Sequence, residues 1–173
     1  MPSTSFHRLT LSVLALATLA PPALAAADPS CDKLLQASAF KPGVPYRVSQ
    51  TMTVDGKAEV HEAVYIDGKL YSQIAGKWRV MPIPDMADAS KVARETTRQC
   101  VAGGTELLGT TPTRMWTSQV KTQFDDKPVQ WKTWVGVADG RLYRQQSQGF
   151  DQRIFYDNVV APAVAPATEK KKR

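Results

Sequence analysis

The residues that could carry out catalytic chemistry are few in this 173-residue chain. Its two histidines are His7, near the N-terminus, and His61, which is followed directly by Glu62. Neighbouring residues of a strand point to opposite faces, so His61 and Glu62 cannot act as one acid–base couple. His7 lies in the N-terminal segment that is predicted below to be removed, and the single remaining histidine does not make a zinc site. The chain also has no Gly-x-Ser-x-Gly nucleophile motif. We predict a protein that is not an enzyme and needs no cofactor or metal.

The stretch YIDGKLYSQIAGKW, residues 65–78, contains a Gly-Lys pair of the kind found in phosphate-binding loops. Such a loop has four residues between its first glycine and Gly-Lys, and Ser or Thr follows the lysine. Here seven residues separate Gly68 from Gly76, and Trp78 follows the lysine. Apolar and polar residues alternate on both sides of the glycines. The stretch therefore predicts a β-hairpin rather than a phosphate site.

The N-terminal residues predict export. A basic start at Arg8 precedes an apolar run, two prolines and the small residues ALAAA, an order typical of a secretory signal peptide. The run is shorter than the roughly 20 residues of a membrane span, although a membrane anchor is the alternative. We predict a signal peptide over residues 1–25, cleaved after Ala25 or Ala27, and a periplasmic location. The residues before Cys31 lack a lipoprotein cleavage box.

The remaining chain is predicted to form a single domain, residues 26–160, and a flexible Ala/Pro-rich and basic tail, residues 161–173. The formal charge is +6, of which Arg8 carries one and the last five residues carry three, so the domain itself is only weakly basic. Nucleic-acid binding requires a basic stripe on the folded body. We therefore predict no nucleic-acid partner, and we expect a monomer.

Cys31 and Cys100 both lie beyond the predicted cleavage site. An even pair of cysteines in an oxidising compartment most simply forms a disulfide. The two positions are far apart in the sequence, and closing a loop of that length stabilises the fold by roughly 4 kcal/mol. Two free thiols are the alternative.

From Tyr46 onward the chain alternates apolar and polar residues with a period of two, which indicates antiparallel strands. Asp-Gly followed by a basic residue occurs three times, at residues 55–57, 67–69 and 139–141. Asp-Gly fits the primed turns of tight hairpins, because both central positions take positive φ. The pattern predicts an α+β fold, mainly β, with about four strands before residue 84 and about five after residue 100.

A short helix is predicted before the strands. Asp28 is its cap, Pro29 lies in its first turn, and Pro42-Gly43 end it. The residues expected on its buried face are Cys31, Leu34 and Leu35.

A second helix is predicted over residues 86–94, capped by Asp85 or Asp88. It would cross from the first set of strands to the second and deliver Cys100. Trp116 and Trp131 then fall on adjacent strands of the second set. These tryptophans either form packed core or line an apolar cavity between the sheet and the helices.

Several stretches resemble the periplasmic lipoprotein-carrier family. YRVSQTMTVDGK (residues 46–57) is similar to its early Gln-containing strand and Asp-Gly turn. CVAGGTELLGTTPTRMWTSQVKT (100–122) and KTWVGVADGRLYRQQSQG (132–149) are similar to its later hairpins, and IFYDNVVAPAVAP (154–166) to its closing strand. The family's Arg-Pro segment after the second strand is replaced here by KLYSQIAGKWRVMPIP (69–84).

The resemblance implies a curved antiparallel sheet forming a half-open barrel, covered by two helices as a lid. It implies a lipid, an acyl chain or another hydrophobic ligand in the concave interior, with candidate lining residues Trp116, Val120, Trp131, Val135 and Ile154. The missing Arg-Pro segment favours a ligand other than a lipoprotein.

Two hypotheses for function follow. The first is a periplasmic, non-enzymatic binding protein that holds a hydrophobic ligand, with transient contacts to the membrane or to envelope proteins left open. The second is an envelope protein–protein interaction module, an inhibitor or assembly factor. It would have a solid core, and exposed aromatics such as Tyr71, Trp134 or Tyr143 would make its contacts. A hydrolase is a distant third.

Overall fold

The computed structural model describes residues 28–39, 41–83, 85–122 and 126–164, apart from the side chain of Met86. The predicted signal peptide and most of the predicted basic tail lie outside these residues. Within them the elements follow the expected order of helix, four strands, helix and five strands, and the mainly β α+β class is confirmed. In this part of the chain no helix is both long and apolar enough to cross a membrane.

The described residues form one antiparallel sheet of nine strands and two α-helices. The first helix, α1, is Asp32–Ser38 and follows a 3-10 turn, Pro29–Cys31; the second, α2, is Met86–Thr96. The strands are β1 (Tyr46–Val54), β2 (Lys57–Ile66), β3 (Lys69–Ile74), β4 (Lys77–Met81), β5 (Thr97–Leu108), β6 (Thr111–Val120), β7 (Val129–Gly136), β8 (Leu142–Ser147) and β9 (Phe150–Phe155). Their order across the sheet is β4-β3-β2-β1-β9-β8-β7-β6-β5, so β4 and β5 are free edges and the sheet is not closed.

The pairing of β1 with β9 joins two meanders into this one sheet. Arg47 lies opposite Phe155, and Met52 lies opposite Phe150. The first four strands and the last five are otherwise each connected in sequence order. Residues from both ends of the domain therefore meet at the centre of the sheet.

Three tight turns have positive φ at both central residues, and two of them are predicted Asp-Gly turns. Asp55-Gly56 connects β1 to β2 with φ of 51° and 74°, and Asp67-Gly68 connects β2 to β3 with φ of 51° and 67°. Ala75-Gly76 connects β3 to β4 in the same way, with φ of 48° and 74°. Positive φ at both central residues is the signature of the primed hairpin turn. The Gly-Lys pair is thus part of a hairpin, as predicted.

The third Asp-Gly pair does not form a tight turn, and that prediction is wrong. Residues 137–141 connect β7 to β8 as a longer loop, in which Gly140 but not Asp139 has positive φ. The N–H of Gly140 donates to the carbonyl of Gly136 at 3.0 Å. The Asp139 carboxylate accepts from the backbone N–H of Arg141 at 3.0 Å and from the hydroxyl of Tyr143 at 2.8 Å. These side-chain bonds stabilise the wider loop.

The N-terminal helical segment begins as predicted and ends early. Asp28 caps it by accepting a hydrogen bond from the N–H of Ser30 at 2.9 Å, and Pro29 occupies the first turn. The helix ends at Ser38, because Ala39 is already extended at ψ 139°. The expected end at Pro42-Gly43 is therefore wrong; those residues form a separate turn.

The second helix confirms the predicted crossover. Of the two candidate caps, the structure uses Asp85, which accepts hydrogen bonds from the N–H groups of Ala87 at 2.8 Å and Asp88 at 3.4 Å. The chain enters β5 directly after α2, and β5 carries Cys100.

The core lies between α1 and the second half of the sheet. Cys31, Leu34, Cys100 and Val135 form a buried cluster, and Leu35 and Trp116 pack against it. The predicted disulfide between Cys31 and Cys100 is present. Burying a leucine side chain contributes about 1.5–3 kcal/mol, so this cluster fixes α1 on one face of the sheet. That face is called the helix face below.

The opposite face does not present the aromatics that an interaction module was expected to expose. Tyr71 is only 9% exposed and Trp134 only 5%. Tyr71 lies on an inner strand between Val64 and Val80 of its neighbours. The indole N–H of Trp134 donates to Glu106 of β5, and the guanidinium of Arg144 lies 4.9 Å from its ring centre. Tyr143 is half-buried. These expected contact residues are therefore structural.

Candidate functional site

The segment that covers the helix face is attached to β5 by more than its disulfide. A β-bulge between Arg98 and Val101 puts Gln99 at a φ of 54°, in the left-handed region. The N–H of Gln99 donates to the Asp28 carboxylate at 2.7 Å, and the next N–H, of Cys100, donates to the hydroxyl of Ser30 at 3.2 Å. The irregular strand thus holds the start of the helical segment in place.

A row of cross-strand neighbours runs over the helix face. Gln50 of β1 lies opposite Gln152, Gln152 opposite Gln145, Gln145 opposite Thr133, and Thr133 opposite Trp116. Directly paired residues project to the same face, and Trp116 packs against the α1 cluster. The row therefore runs from the core towards β1, and beyond α1 it is polar.

A groove of about 330 Å³ opens on this face beside α1. Its floor is made by β1, β8 and β9, and its rim by the end of α1 and the residues after it. The described residues that line it are Ala37, Ser38, Ala39, Lys41, Val44, Tyr46, Val48, Arg141, Leu142, Gln145, Gln152, Ile154 and Tyr156. The floor is apolar where Val48 lies opposite Ile154 and polar at the glutamine row.

Tyrosines close one end of the groove. The rings of Tyr46 and Tyr65 stack with centres 5.4 Å apart. The ring of Tyr156 is tilted against those of Tyr46 and Tyr143 in edge-type contacts, with centres 6.4 Å and 5.3 Å away. The hydroxyl of Tyr156 donates to the carbonyl of Leu142 at 2.8 Å. This end is therefore a wall of packed aromatic rings.

Three of these tyrosines, Tyr46, Tyr143 and Tyr156, have a raised pKa. Burial raises the pKa of Tyr156 and the pKa of Tyr46. Burial, together with the hydrogen bond to Asp139, raises the pKa of Tyr143 to about 12. These three hydroxyls therefore carry no negative charge at physiological pH, and their rings offer aromatic surface.

Two cations stand at the same end. The ammonium of Lys41 donates to the carbonyl of Gly140 at 3.2 Å. The guanidinium of Arg141 lies 5.0 Å from the ring centre of Tyr156, and its Nε is 3.6 Å from the Asp139 carboxylate. Both side chains line the groove, whereas Asp139 does not.

Two further spaces adjoin the groove. A small cavity of about 100 Å³ lies on the other side of α1 and shares Ser38 and Gln145 with the groove. A cleft of about 490 Å³ separates α1 from α2, where Arg94 pairs with Asp32 at 3.2 Å. The helix α1 therefore stands between spaces on both of its sides instead of filling the helix face.

The five residues implied as lining lie in three places. Ile154 lines the groove. Val120 and Trp131 line the small cavity, where Trp131 also packs on Phe150 with ring centres 5.1 Å apart. Trp116 and Val135 belong to the packed cluster around the disulfide. The two tryptophans thus separate, one into core and one onto a cavity wall.

Most of the groove lining was missed by the sequence reasoning. Tyr46 and Val48 belong to β1, and Tyr156 directly follows β9. The face on which they lie depends on the pairing of β1 with β9. Ile154 and Tyr156 are two residues apart, so a period of two puts them on one face, and that was the available signal. Lys41 and Arg141 lie in connections, where no periodicity applies.

The groups considered for catalysis do not converge. His61 lies 3.6 Å from Glu59, whereas Glu62 pairs with Arg47 at 3.5 Å. Neither His61 nor Glu62 lines the groove. Among the residues that the structure describes, no group of three or more His, Cys, Asp or Glu is placed to hold a metal ion.

Similarity to known proteins is distant. No protein-family profile matches the sequence, and no curated protein matches it. Solved structures that resemble the fold include the Mycobacterium tuberculosis lipoprotein LppX, at 11% identity and a TM-score of 0.45 over 78% of this chain and 94% of that one. They also include LprF from Mycobacterium bovis, at 12% identity and a TM-score of 0.44 over 82% of this chain and 98% of that one. At these scores neither similarity says what this chain binds.

Proposed function

We propose that this protein is an exported, non-enzymatic binding protein that holds a hydrophobic ligand, such as an acyl chain, in the groove beside α1. The groove itself is the observation that carries the proposal. Its volume of about 330 Å³ lies at the lower end of the range, roughly 300–1,000 Å³, of small-molecule sites. Such sites are mostly apolar with a few placed polar groups, which matches a floor of Val48, Leu142 and Ile154 beside the glutamine row.

Burial of methylene groups would supply the affinity. Each buried methylene contributes about 0.8 kcal/mol. A hydrocarbon chain that lies against Val48 and Ile154 is removed from contact with water along its length. Gln145 and Gln152 lie along the same floor. The side-chain amides of these two residues would lie at the edge of the contact between the ligand's hydrocarbon chain and the groove. The proposal includes export by residues 1–25, a single domain over residues 26–160 and a monomer in the periplasm.

A groove-narrowing variant tests this function. Val48→Phe adds bulk to the floor and should lower the affinity for dodecanol by at least about tenfold, the factor that 1.4 kcal/mol produces. The affinity is measured by displacement of a neutral fluorescent naphthylamine probe. Val60→Phe is the matched control, because Val60 lies on the neighbouring strand with 61% of its surface exposed and outside the groove.

The affinities of the two variants for dodecanol are compared, provided that the variants have equal thermal stability. Weaker binding in Val48→Phe alone supports the groove as the site. Equal affinities in both variants, or no dodecanol binding to the wild-type protein, would contradict the proposed function.

A further inference from the structure

The charges around the groove are one-sided. Of the described residues that line it, Lys41 and Arg141 are cationic and none is acidic. Both cations lie at the tyrosine end. The ammonium of Lys41 donates to the carbonyl of Gly140, the residue directly before Arg141. The rest of the described lining is neutral, because its polar members are amides and hydroxyls.

Neither cation is fully neutralised. Lys41 is exposed, and its ammonium donates to a carbonyl rather than to a carboxylate. Arg141 shares one carboxylate, Asp139, with the hydroxyl of Tyr143. The carboxylate that pairs with Arg141 is therefore shared, and it lies outside the groove lining.

The arginine is also oriented by its surroundings. Its guanidinium lies over the ring of Tyr156 at 5.0 Å, and Tyr156 is itself held by its hydrogen bond to Leu142. A guanidinium fixed on an aromatic face loses less side-chain freedom when it binds an oxyanion. Charge-assisted hydrogen bonds to carboxylate or phosphate oxygens are about twice as strong as neutral ones.

We propose that the groove is selective for amphiphiles with an anionic head group. The carboxylate or phosphate lies between Lys41 and Arg141, and the hydrocarbon chain extends from there over Val48 and Ile154. This inference rests on the proposed function, since it adds the charge of the head group to a groove that holds the chain. An amphiphile with a cationic head meets repulsion at the same place.

Three ligands with one chain separate the two ideas. Dodecanoate, dodecanol and dodecylammonium, each below its micelle concentration, are compared by displacement of the neutral naphthylamine probe. We expect dodecanoate to bind at least about tenfold more tightly than dodecanol, which corresponds to about 1.4 kcal/mol, and dodecylammonium to bind most weakly. Inorganic phosphate alone should not displace the probe, because it lacks a chain.

Variants assign the preference to the two side chains. Lys41→Gln and Arg141→Gln should each reduce the ratio of dodecanoate to dodecanol affinity several-fold. Lys69→Gln, at an exposed position at the start of β3, should leave the ratio as in the wild type. Lys41→Gln is the safer of the two for folding, because Lys41 is exposed and makes one hydrogen bond to Gly140.

Each result has a distinct meaning. If all three ligands bind with equal affinity, the head-group inference is wrong and the hydrophobic groove survives. If dodecanoate is preferred but neither variant changes the ratio, the preference has another source and the assignment to Lys41 and Arg141 fails. If no chain-bearing ligand displaces the probe, the proposed function itself fails. If inorganic phosphate alone displaces the probe, the inference of an amphiphilic ligand is wrong and the groove is a simple anion site.

Discussion

Asp28 connects two parts of the chain that are far apart in sequence. One carboxylate oxygen caps the 3-10 turn through the N–H of Ser30, and the other accepts from the N–H of Gln99 in the β5 bulge. The cap was foreseeable, because an Asp-Pro-Ser start is a local signal. The bond to Gln99 was not, because a bulge with a non-glycine residue at positive φ depends on the register of β5 and β6.

The charge of Asp28 gives this contact a pH dependence. The hydrogen bond from the Gln99 N–H, and then those from the side chain and the backbone N–H of Ser30, lower the pKa of Asp28 from its ordinary value of 3.8. A depressed folded-state pKa contributes stability that is present above the unfolded pKa and is lost as the pH falls through the folded pKa. The effect therefore belongs to the window below about pH 4.

Asp28→Asn mimics the protonated state. At neutral pH we expect it to unfold at a lower temperature than the wild type, because the amide loses the charge and one acceptor. The difference should shrink as the pH is lowered through the pKa of Asp28. Glu95→Gln, which removes an exposed carboxylate from α2, is the control. A difference in melting temperature that stays constant from neutral pH to the acid limit would contradict this assignment.

At the scale of elements, the disulfide determines where α1 lies. Cys31 is fully buried at the junction of the 3-10 turn and α1, and Cys100 lies in β5 beside the bulge. The short helix α1, Asp32–Ser38, has too few residues to be stable alone. Its position over the sheet depends on this covalent link and on the packing of Leu34.

Removal of the link tests that dependence. The double variant Cys31→Ala/Cys100→Ala opens a loop with a sequence separation of 69, and we expect the free energy of unfolding to fall by roughly 4 kcal/mol. Urea unfolding followed by circular dichroism measures it. After reductant has opened the disulfide of the wild type, its free energy of unfolding should match that of the double variant. Unchanged stability in the double variant would mean that packing alone holds α1.

Elements were more predictable than the site they form. Hairpins at Asp55-Gly56 and Asp67-Gly68 and the cap at Asp85 follow from residues adjacent in sequence. The Asp139-Gly140 hairpin prediction failed because the Asp139 side chain bonds to Arg141 and Tyr143 and stabilises a longer loop. Local patterns do not contain such side-chain competition.

At the scale of the whole molecule, the groove is a consequence of one long-range pairing. β1 and β9 come from opposite ends of the domain, and their register places Val48 opposite Ile154. Neither strand alone indicates a groove. The period-two pattern of a strand separates its two faces, but it does not say which face a helix covers. The sheet is also left open at β4 and β5. A space beside α1 therefore has to be read from the assembled sheet.

A ligand in that space should change protection in both halves of the chain at once. We expect hydrogen exchange, measured by mass spectrometry with and without dodecanoate, to slow in the residues around Tyr46 and Val48 and in those around Leu142 and Ile154, because they line one groove. The β3–β4 hairpin, Lys69–Met81, is the internal control, since it contributes nothing to the described lining. Protection confined to one half would place the ligand elsewhere, and uniform protection would indicate general stabilisation instead of a site where β1 meets β9.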